Sequence, residues 1–563
     1  MSPAPAVVGM EGMWGPSHQH RPPPGGGATR ELVVLIAILA IAFELFAHRL
    51  AAHGALGAAG STLHTMLRFT LLLALGAIGW RVAPPIASRV RARRPTRGDR
   101  LAASADPACA VREHARALGG GAFLGLASGG RWLTADPEHA VLVLGPPRSG
   151  KTSAVVIPTL LAASGAAVST STKPDVLAAT FPARAGLGQV WLFDPTGAVL
   201  AAPSGARRLS WSPVAAAPSW DEALLIARAM ANAAPAGQGT ANESHWRERS
   251  SALLAPLLLA ANLAGLTVTD VLRWVLRHEL DPAQAILDDA EPVAGDVLAG
   301  IERTEGRERS SILSATAGVL SAYNARAARD AAARPNFDPP RFVNGTDTVY
   351  IAAPAHRQAL CAPLVVGLLE QIRHAAYARN AASPSGPVLM CLDELANIAP
   401  IHDLPALVSE AGGQGLQVLA CLQDLSQARQ RWGESAADGL LSLFQTKLVL
   451  DGIADRRTLE ALSLSLGEYD RRVVSHSIGR NQSERLFSGD PGTSSESVSY
   501  STSRQRVLSP GEIASLPAGQ GLLLRGTRWE LLQLTPWHRT EPWRTLAALR
   551  AQSPRHTLGP PPR

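Results

Sequence analysis

The chain has 563 residues, 46% of them apolar and 18% charged, with a net charge of +7 and an isoelectric point near 9.7. That length implies two or three domains, and the positive balance is compatible with a polyanionic partner. Four widely separated cysteines, Cys109, Cys361, Cys391 and Cys421, with no Cys-x-x-Cys pair, argue against a disulfide framework and against zinc.

Residues 1–30 are rich in Pro and Gly without periodicity and read as a disordered lead. Residues 31–83 hold two apolar runs, Leu32 to Ala47 with Glu44 inside it and Leu63 to Val82 with Arg68 near its start. Each lies near the lower limit of a bilayer span, about 17–25 residues. Beyond them, residues 84–100 carry Arg89, Arg91, Arg93, Arg94, Arg97 and Arg100, opposed by Asp99 alone. By the positive-inside rule this is a two-helix transmembrane anchor in the cell (inner or plasma) membrane, with the N-terminus and the long C-terminal part both cytoplasmic. The arginines mark the boundary and suit anionic lipid. A cleaved signal peptide would export everything downstream, including the motif described next, and ignores the second run. A pair of buried core helices is the other reading.

Residues 101–218 open with short strand candidates at Phe123–Ala127 and Arg131–Thr134, then an apolar run, Ala140 to Leu144. Directly after that run stands Gly145-Pro146-Pro147-Arg148-Ser149-Gly150-Lys151-Thr152, and Ser153 begins an apolar helical segment. Strand, G-x-x-x-x-G-K-T and helix, in that order, make a phosphate-binding P-loop. The glycines let backbone N–H groups turn inward, and the helix N-terminus adds partial positive charge. Lys151 would reach the β- and γ-phosphates of ATP, and the Thr152 hydroxyl would ligate Mg²⁺. Composition sharpens the point: the 53 basic residues include only three lysines, Lys151, Lys173 and Lys447, and one of them occupies the position where a compact charge on a flexible stem is needed.

Strands follow at Gly165–Thr170, ending in Ser171-Thr172-Lys173-Pro174-Asp175, and at Gln189–Asp194. Strands alternating with helical stretches imply a parallel α/β sheet, with ligands at the carboxyl ends of its strands. Residues 219–340 change to helical periodicity throughout and read as an inserted all-α domain. In residues 341–545 the sheet resumes at Thr348–Ala353, and a long helical run, Ala359 to Arg379, leads to Pro387-Val388-Leu389-Met390-Cys391-Leu392-Asp393-Glu394. Five apolar residues in a row make a strand buried on both faces, and the two carboxylates at its end take the Walker B position. Asp393 would hold Mg²⁺ through water, and Glu394 would orient or deprotonate the attacking water. The next buried strand, Leu416–Leu422, ends at Gln423, placed to sense the γ-phosphate or to position water. Arg456/Arg457 and Arg471/Arg472 are candidates to reach a neighbouring subunit's nucleotide. Residues 475–503 are Ser-rich and read as a flexible excursion, Gly521–Gly526 with Trp529–Leu534 as a closing hairpin, and residues 546–563 as a disordered tail.

With these motifs placed, the chain resembles the type IV secretion coupling proteins, the conjugative DNA-transfer ATPases of the TraG/TraD group. The resemblance runs from the apolar hairpin to about Pro536. It rests on Gly145–Thr152, on the string Leu392-Asp393-Glu394-Leu395-Ala396-Asn397-Ile398-Ala399-Pro400-Ile401, on Gln423, on Gly452-Ile453-Ala454-Asp455 through Thr458, and on Leu508-Ser509-Pro510-Gly511-Glu512-Ile513. It implies a RecA-like P-loop NTPase core with an inserted all-α domain, behind the transmembrane anchor, in a homo-hexamer. It also implies ATP hydrolysis that delivers single-stranded DNA with an attached relaxase-type protein into the channel proteins of a secretion system. Ser171–Asp175 departs from the family's more usual Asp-Lys-Gly-Glu turn, while Lys173 and Asp175 keep its polarity. An FtsK-like double-stranded DNA pump, a motor for protein substrates, and a membrane receptor that binds nucleotide without hydrolysing it are the competing readings.

Overall fold

The computed structural model describes residues 106–235, 243–383, 385–480 and 494–549, together with Leu101 and Ser104. The expected lead, transmembrane anchor and basic linker lie outside the described residues, as does most of the expected tail. No helix among the described residues is long and apolar enough to cross a membrane.

The described strands, in chain order, are β1 (Phe123–Ala127), β2 (Arg131–Thr134), β3 (Val141–Leu144), β4 (Ala167–Ser171), β5 (Val190–Phe193), β6 (Arg207–Arg208), β7 (Thr348–Ala352), β8 (Val388–Leu392), β9 (Leu416–Leu422), β10 (Thr446–Leu450), β11 (Glu468–Arg480), β12 (Ser494–Arg506), β13 (Gln520–Arg525) and β14 (Arg528–Gln533). Twelve of them form one sheet in the order β2-β1-β14-β13-β10-β3-β9-β8-β4-β7-β5-β6. From β10 to β6 the pairing is parallel. At the other edge β13, β14, β1 and β2 pair antiparallel. The mixed α/β fold expected from the alternation of strands and helices is therefore present.

Period-two alternation sorts the apolar strand residues into two cores, one on each face of the sheet. Leu142, Leu144, Met390, Leu392, Val418 and Ala420 join one core, which extends into the helices between β6 and β7. Val141, Val143, Leu389, Cys391, Leu419 and Cys421 join the other, under the helix that follows the P-loop. Burial on both faces is why these strands read as unbroken apolar runs.

The segment between β6 and β7 is helical, with helices at Trp220–Ala233, Glu243–Leu263, Val268–Arg277, Asp281–Ala290, Pro292–Glu302 and Gly306–Val319. Its starts are locally encoded: Ser219 accepts from the N–H of Glu222, and Thr267 with Asp270 forms a capping box. The segment leaves from the edge strand β6 and returns at β7, with only β5 between them, so it lengthens a connection without interrupting the ladder.

Two regions depart from expectation. The Ser-rich excursion is flanked by a long two-stranded ribbon, β11 against β12, paired from Glu468↔Arg506 to Arg480↔Ser494. The reason lies in its alternation: serines at 495, 497, 499, 501 and 503 interleave with Glu496, Val498, Tyr500, Thr502 and Arg504, the period of a strand. The other is residues 546–549, expected as the start of a disordered tail. Trp543 and Leu546 of helix Trp543–Ala547 are buried, and the Trp543 ring stacks 4.7 Å from that of Trp132.

Candidate active site

The carboxyl ends of β3, β9, β8 and β4 form one row in the centre of the parallel sheet. The P-loop leaves β3 and crosses toward β8. Gly145 donates its N–H to Leu422 at the end of β9, at 3.1 Å, and a Cβ on it would lie 2.5 Å from Ser149 Oγ and 2.9 Å from Leu450 Cβ. Only glycine fits there. Gly150 sits at φ 100°, and Arg148 takes left-handed backbone at φ 68°. Lys151–Val156 then winds as a π-helix into the α-helix Ile157–Ala162, and the N–H of Ala154 bonds back to Gly150 at 2.8 Å. Unpaired N–H groups at a helix start are suited to an anion.

Lys151 is buried, its ammonium held by the Gly145 carbonyl and by the Pro146 carbonyl at 3.0 Å. Pro147 and Arg148 are exposed at the loop's tip, and Ser153 Oγ donates to the Gly150 carbonyl at 3.4 Å. Ser149 Oγ is buried with no hydrogen-bond partner. A close-packed glycine cradle, a buried lysine on replaceable carbonyl partners and an unsatisfied hydroxyl in the same loop fit an arriving phosphate group.

Thr152 Oγ1 donates to Asp393 Oδ2 at 2.5 Å, across 241 residues of sequence. Thr170, at the end of β4, donates to the Asp393 carbonyl at 2.8 Å and fixes the β8 terminus from its other side. Burial pushes the Asp393 carboxyl above its ordinary range; the Thr152 hydroxyl and Lys151 charge pull against this, while Glu394 and Asp175 add to it. A buried carboxylate beside a hydroxyl, with cationic help incomplete, is the environment a divalent cation completes. No group of three or more His, Cys, Asp or Glu side chains among the described residues could hold a metal, so a cation at Thr152 and Asp393 would need oxygens from phosphate and water. That set suits Mg²⁺, which keeps several waters.

Glu394 takes left-handed backbone at φ 58°, turning the chain into the short helix Leu395–Ile398. Its Oε2 accepts from Asn397 Nδ2 at 3.2 Å. Gln423, half-buried at the end of β9 between the P-loop strand and β8, gives its N–H to Gln427 Oε1 at 2.8 Å. The helix that follows, Leu425–Trp432, is tied to the next layer by Arg429, which meets Asp455 at 2.5 Å. Asp455 sits below the ordinary carboxylate range: burial works to raise it, but bonds from Thr458 and Arg429 prevail.

The arginine candidates are exposed, and three already have intrachain partners: Arg456 with Glu460 at 3.2 Å, Arg457 with Glu434 at 2.9 Å and Arg471 with Gln505 at 3.3 Å. Arg471 and Arg472 stand on the β11–β12 ribbon. Lys173 and Asp175 flank the carboxyl end of β4. Sequence reasoning passed over Thr170 and Asn397. Polar residues, Ser169-Thr170-Ser171, closing a buried strand were the available signal for the first; the second lay inside the most specific string without a role.

Comparison with known proteins now bears on this geometry. The family described as type IV secretory system conjugative DNA transfer matches residues 99–528. The chain belongs to that family. Among its curated relatives, the conjugal transfer protein TraG of Escherichia coli is 25% identical over 325 residues, which cover 52% of this chain and 49% of TraG. The chain thus spans about half the length of that relative. Of solved structures, the bacterial conjugative coupling protein TrwBdeltaN70 is 19% identical, covers 73% of this chain and 88% of its own, and gives a TM-score of 0.55. Plasmid coupling protein TrwB in complex with the non-hydrolysable ATP analogue ADPNP is 20% identical, with 71% and 86% covered and a TM-score of 0.53. TrwB with ADP and Mg²⁺ is 20% identical, with 74% and 88% covered and a TM-score of 0.52. At these identities the conjugative DNA-transfer chain shares TrwB's fold.

Proposed function

We propose that this conjugative DNA-transfer chain is a membrane-anchored, Mg²⁺-dependent ATPase, acting as a ring of identical subunits. In this reading ATP hydrolysis drives a DNA strand and its attached relaxase-type protein toward a secretion channel, with the catalytic part in the cytoplasm. The observation that carries the nucleotide site is the hydroxyl–carboxylate contact between Thr152 and Asp393, which brings the P-loop and the acidic strand end together. The complexes of TrwB with an ATP analogue and with ADP and Mg²⁺ support it by analogy of fold.

The loop from Gly145 to Ser153 holds the phosphates on inward N–H groups, and the Lys151 ammonium exchanges its carbonyl partners for phosphate oxygens. Thr152 and Asp393 would hold Mg²⁺, which would supply positive charge to offset the negative charge of the phosphates. Glu394 aims and deprotonates the water that attacks the γ-phosphate, and Gln423 reads that phosphate from the neighbouring strand end. DNA is held mainly through phosphate, so binding weakens as salt rises and varies little with sequence.

Turnover in the presence of single- and double-stranded DNA tests this. The Glu394→Gln variant is expected to bind ATP and to hydrolyse it about 100-fold or more slowly. Single strands are expected to stimulate the unmodified chain more than duplex does. Brisk turnover in Glu394→Gln would remove Glu394 from its role, and equal stimulation would favour a duplex pump.

A further inference from the structure

A cavity of about 490 Å³ opens between the helical segment and the acidic strand end, away from the P-loop cradle. Its polar lining is Gln358, Asn397, Gln427, Gln430, Arg247 and Arg431; the remaining lining residues are Ala and Pro, and no carboxylate is among them. Four side-chain amides with two guanidiniums over a floor of small apolar residues suit a ligand that is anionic, rich in acceptors and partly flat. A short stretch of single-stranded nucleic acid has that chemistry, offering phosphates to the arginines and base edges to the amides.

The walls of this cavity also hold the two residues assigned to hydrolysis. Asn397 Nδ2 donates to Glu394 Oε2 at 3.2 Å, and Gln427 Oε1 accepts the N–H of Gln423 at 2.8 Å. Arg431, on the same helix as Gln427, reaches the Ala233 carbonyl of the helical segment at 3.2 Å, so the wall spans both halves.

We infer that this cavity receives a segment of the transported DNA strand and that Asn397 is a positioning residue through which its occupancy sets the aim of Glu394. The inference rests on the ATPase reading above. A phosphate or base acceptor entering the cavity competes for the Asn397 amide, and the Glu394 carboxylate is then released toward the attacking water. Without that ligand, the amide holds Glu394 in a less productive position, and turnover is restrained until the strand is engaged.

The test uses the full chain, with ATP turnover measured while poly-dT oligonucleotide is titrated. Asn397→Ala is expected to raise turnover in the absence of oligonucleotide and to lower the stimulated-to-unstimulated ratio about fivefold, a typical size for coupling between sites. Lost packing alone would lower both rates. Gln430→Glu places a carboxylate on the cavity's exposed rim and is expected to raise the half-stimulating oligonucleotide concentration about tenfold, with the saturated rate kept. Proportionate loss of both rates in Asn397→Ala, or an unchanged half-stimulating concentration in Gln430→Glu, would overturn the inference. So would a chain that hydrolyses ATP at one rate with or without oligonucleotide, or one stimulated by a partner protein alone; either result leaves the nucleotide site standing. Failure to bind ATP at all would instead sink the ATPase reading.

Discussion

Asp393 shows how one residue trades stability for chemistry. Its carboxyl is buried and its proton is held above the ordinary range. The folded chain therefore binds that proton more tightly than the unfolded chain does. The cost of ionising it is absent below the unfolded pKa, grows as pH rises through the interval up to the raised folded value, and is fully present above it. Asp393→Asn is accordingly expected to stabilise the nucleotide-free chain at neutral pH by about 1 kcal/mol, seen as a raised thermal midpoint, while abolishing the Mg²⁺-dependent part of nucleotide binding. Differential scanning calorimetry with and without Mg²⁺–nucleotide checks both. A lowered midpoint would mean that the carboxylate is stabilising as it stands. Its place beside the P-loop was legible because two carboxylates closing an apolar strand have few structural reasons to be there. The Thr170 contact was not legible, since it depends on which strand lies beside which; the Asn397 contact is local but follows from the left-handed turn at Glu394, which its residue type does not announce.

Among the elements, parallel strands announced themselves by unbroken apolar runs, and the helical segment by its 3.6-residue period. The ribbon was misjudged because serine content was weighed and alternation was not. Its side chains explain why it matters little to the core: Val474, Val498 and Tyr500 lie on one face, respectively 48%, 42% and 79% exposed. A two-stranded hairpin is at best marginal by itself, and this one buries little of its own surface. Replacing residues 471–503 with a tight Asn-Gly turn between the paired Asp470 and Arg504 is expected to leave the thermal midpoint within about 3 °C and ATP binding intact. A collapse of the midpoint would show that the ribbon props up the sheet. Helix 425–432 is the opposite case. The Arg429–Asp455 pair and the bond from the Leu425 N–H to Thr458 Oγ1, at 3.0 Å, fix its seat, so it presents Gln427 to Gln423 from a rigid base. Arg429→Ala is expected to slow turnover more than it weakens ATP binding, as a positioning loss should; equal losses in both would contradict this.

At the scale of the molecule, the two halves of the nucleotide site lie on opposite sides of the helical segment in sequence and on near-neighbouring strands in space. β9 stands between β3 and β8, so the strand that carries Gln423 touches both the P-loop strand and the acidic strand. In the proposed reading, a change in the nucleotide would be felt at β9 and passed to the helix that follows it. The proposed anchor belongs to this scale too. A chain beginning at Leu101 is expected to remain in solution after ultracentrifugation and to assemble more weakly than the full chain, which should sediment with membranes. Membrane association of the shortened chain would remove the anchor from residues 31–83. The central claim is that Lys151, Thr152 and Asp393 together grip a magnesium–triphosphate. Titration of a fluorescent ATP analogue into the full chain and into Lys151→Ala, each with Mg²⁺ and with chelator, tests it most directly. Saturable, Mg²⁺-strengthened binding that disappears in Lys151→Ala is the expected result, and Lys151→Ala binding as tightly as the unmodified chain would contradict it.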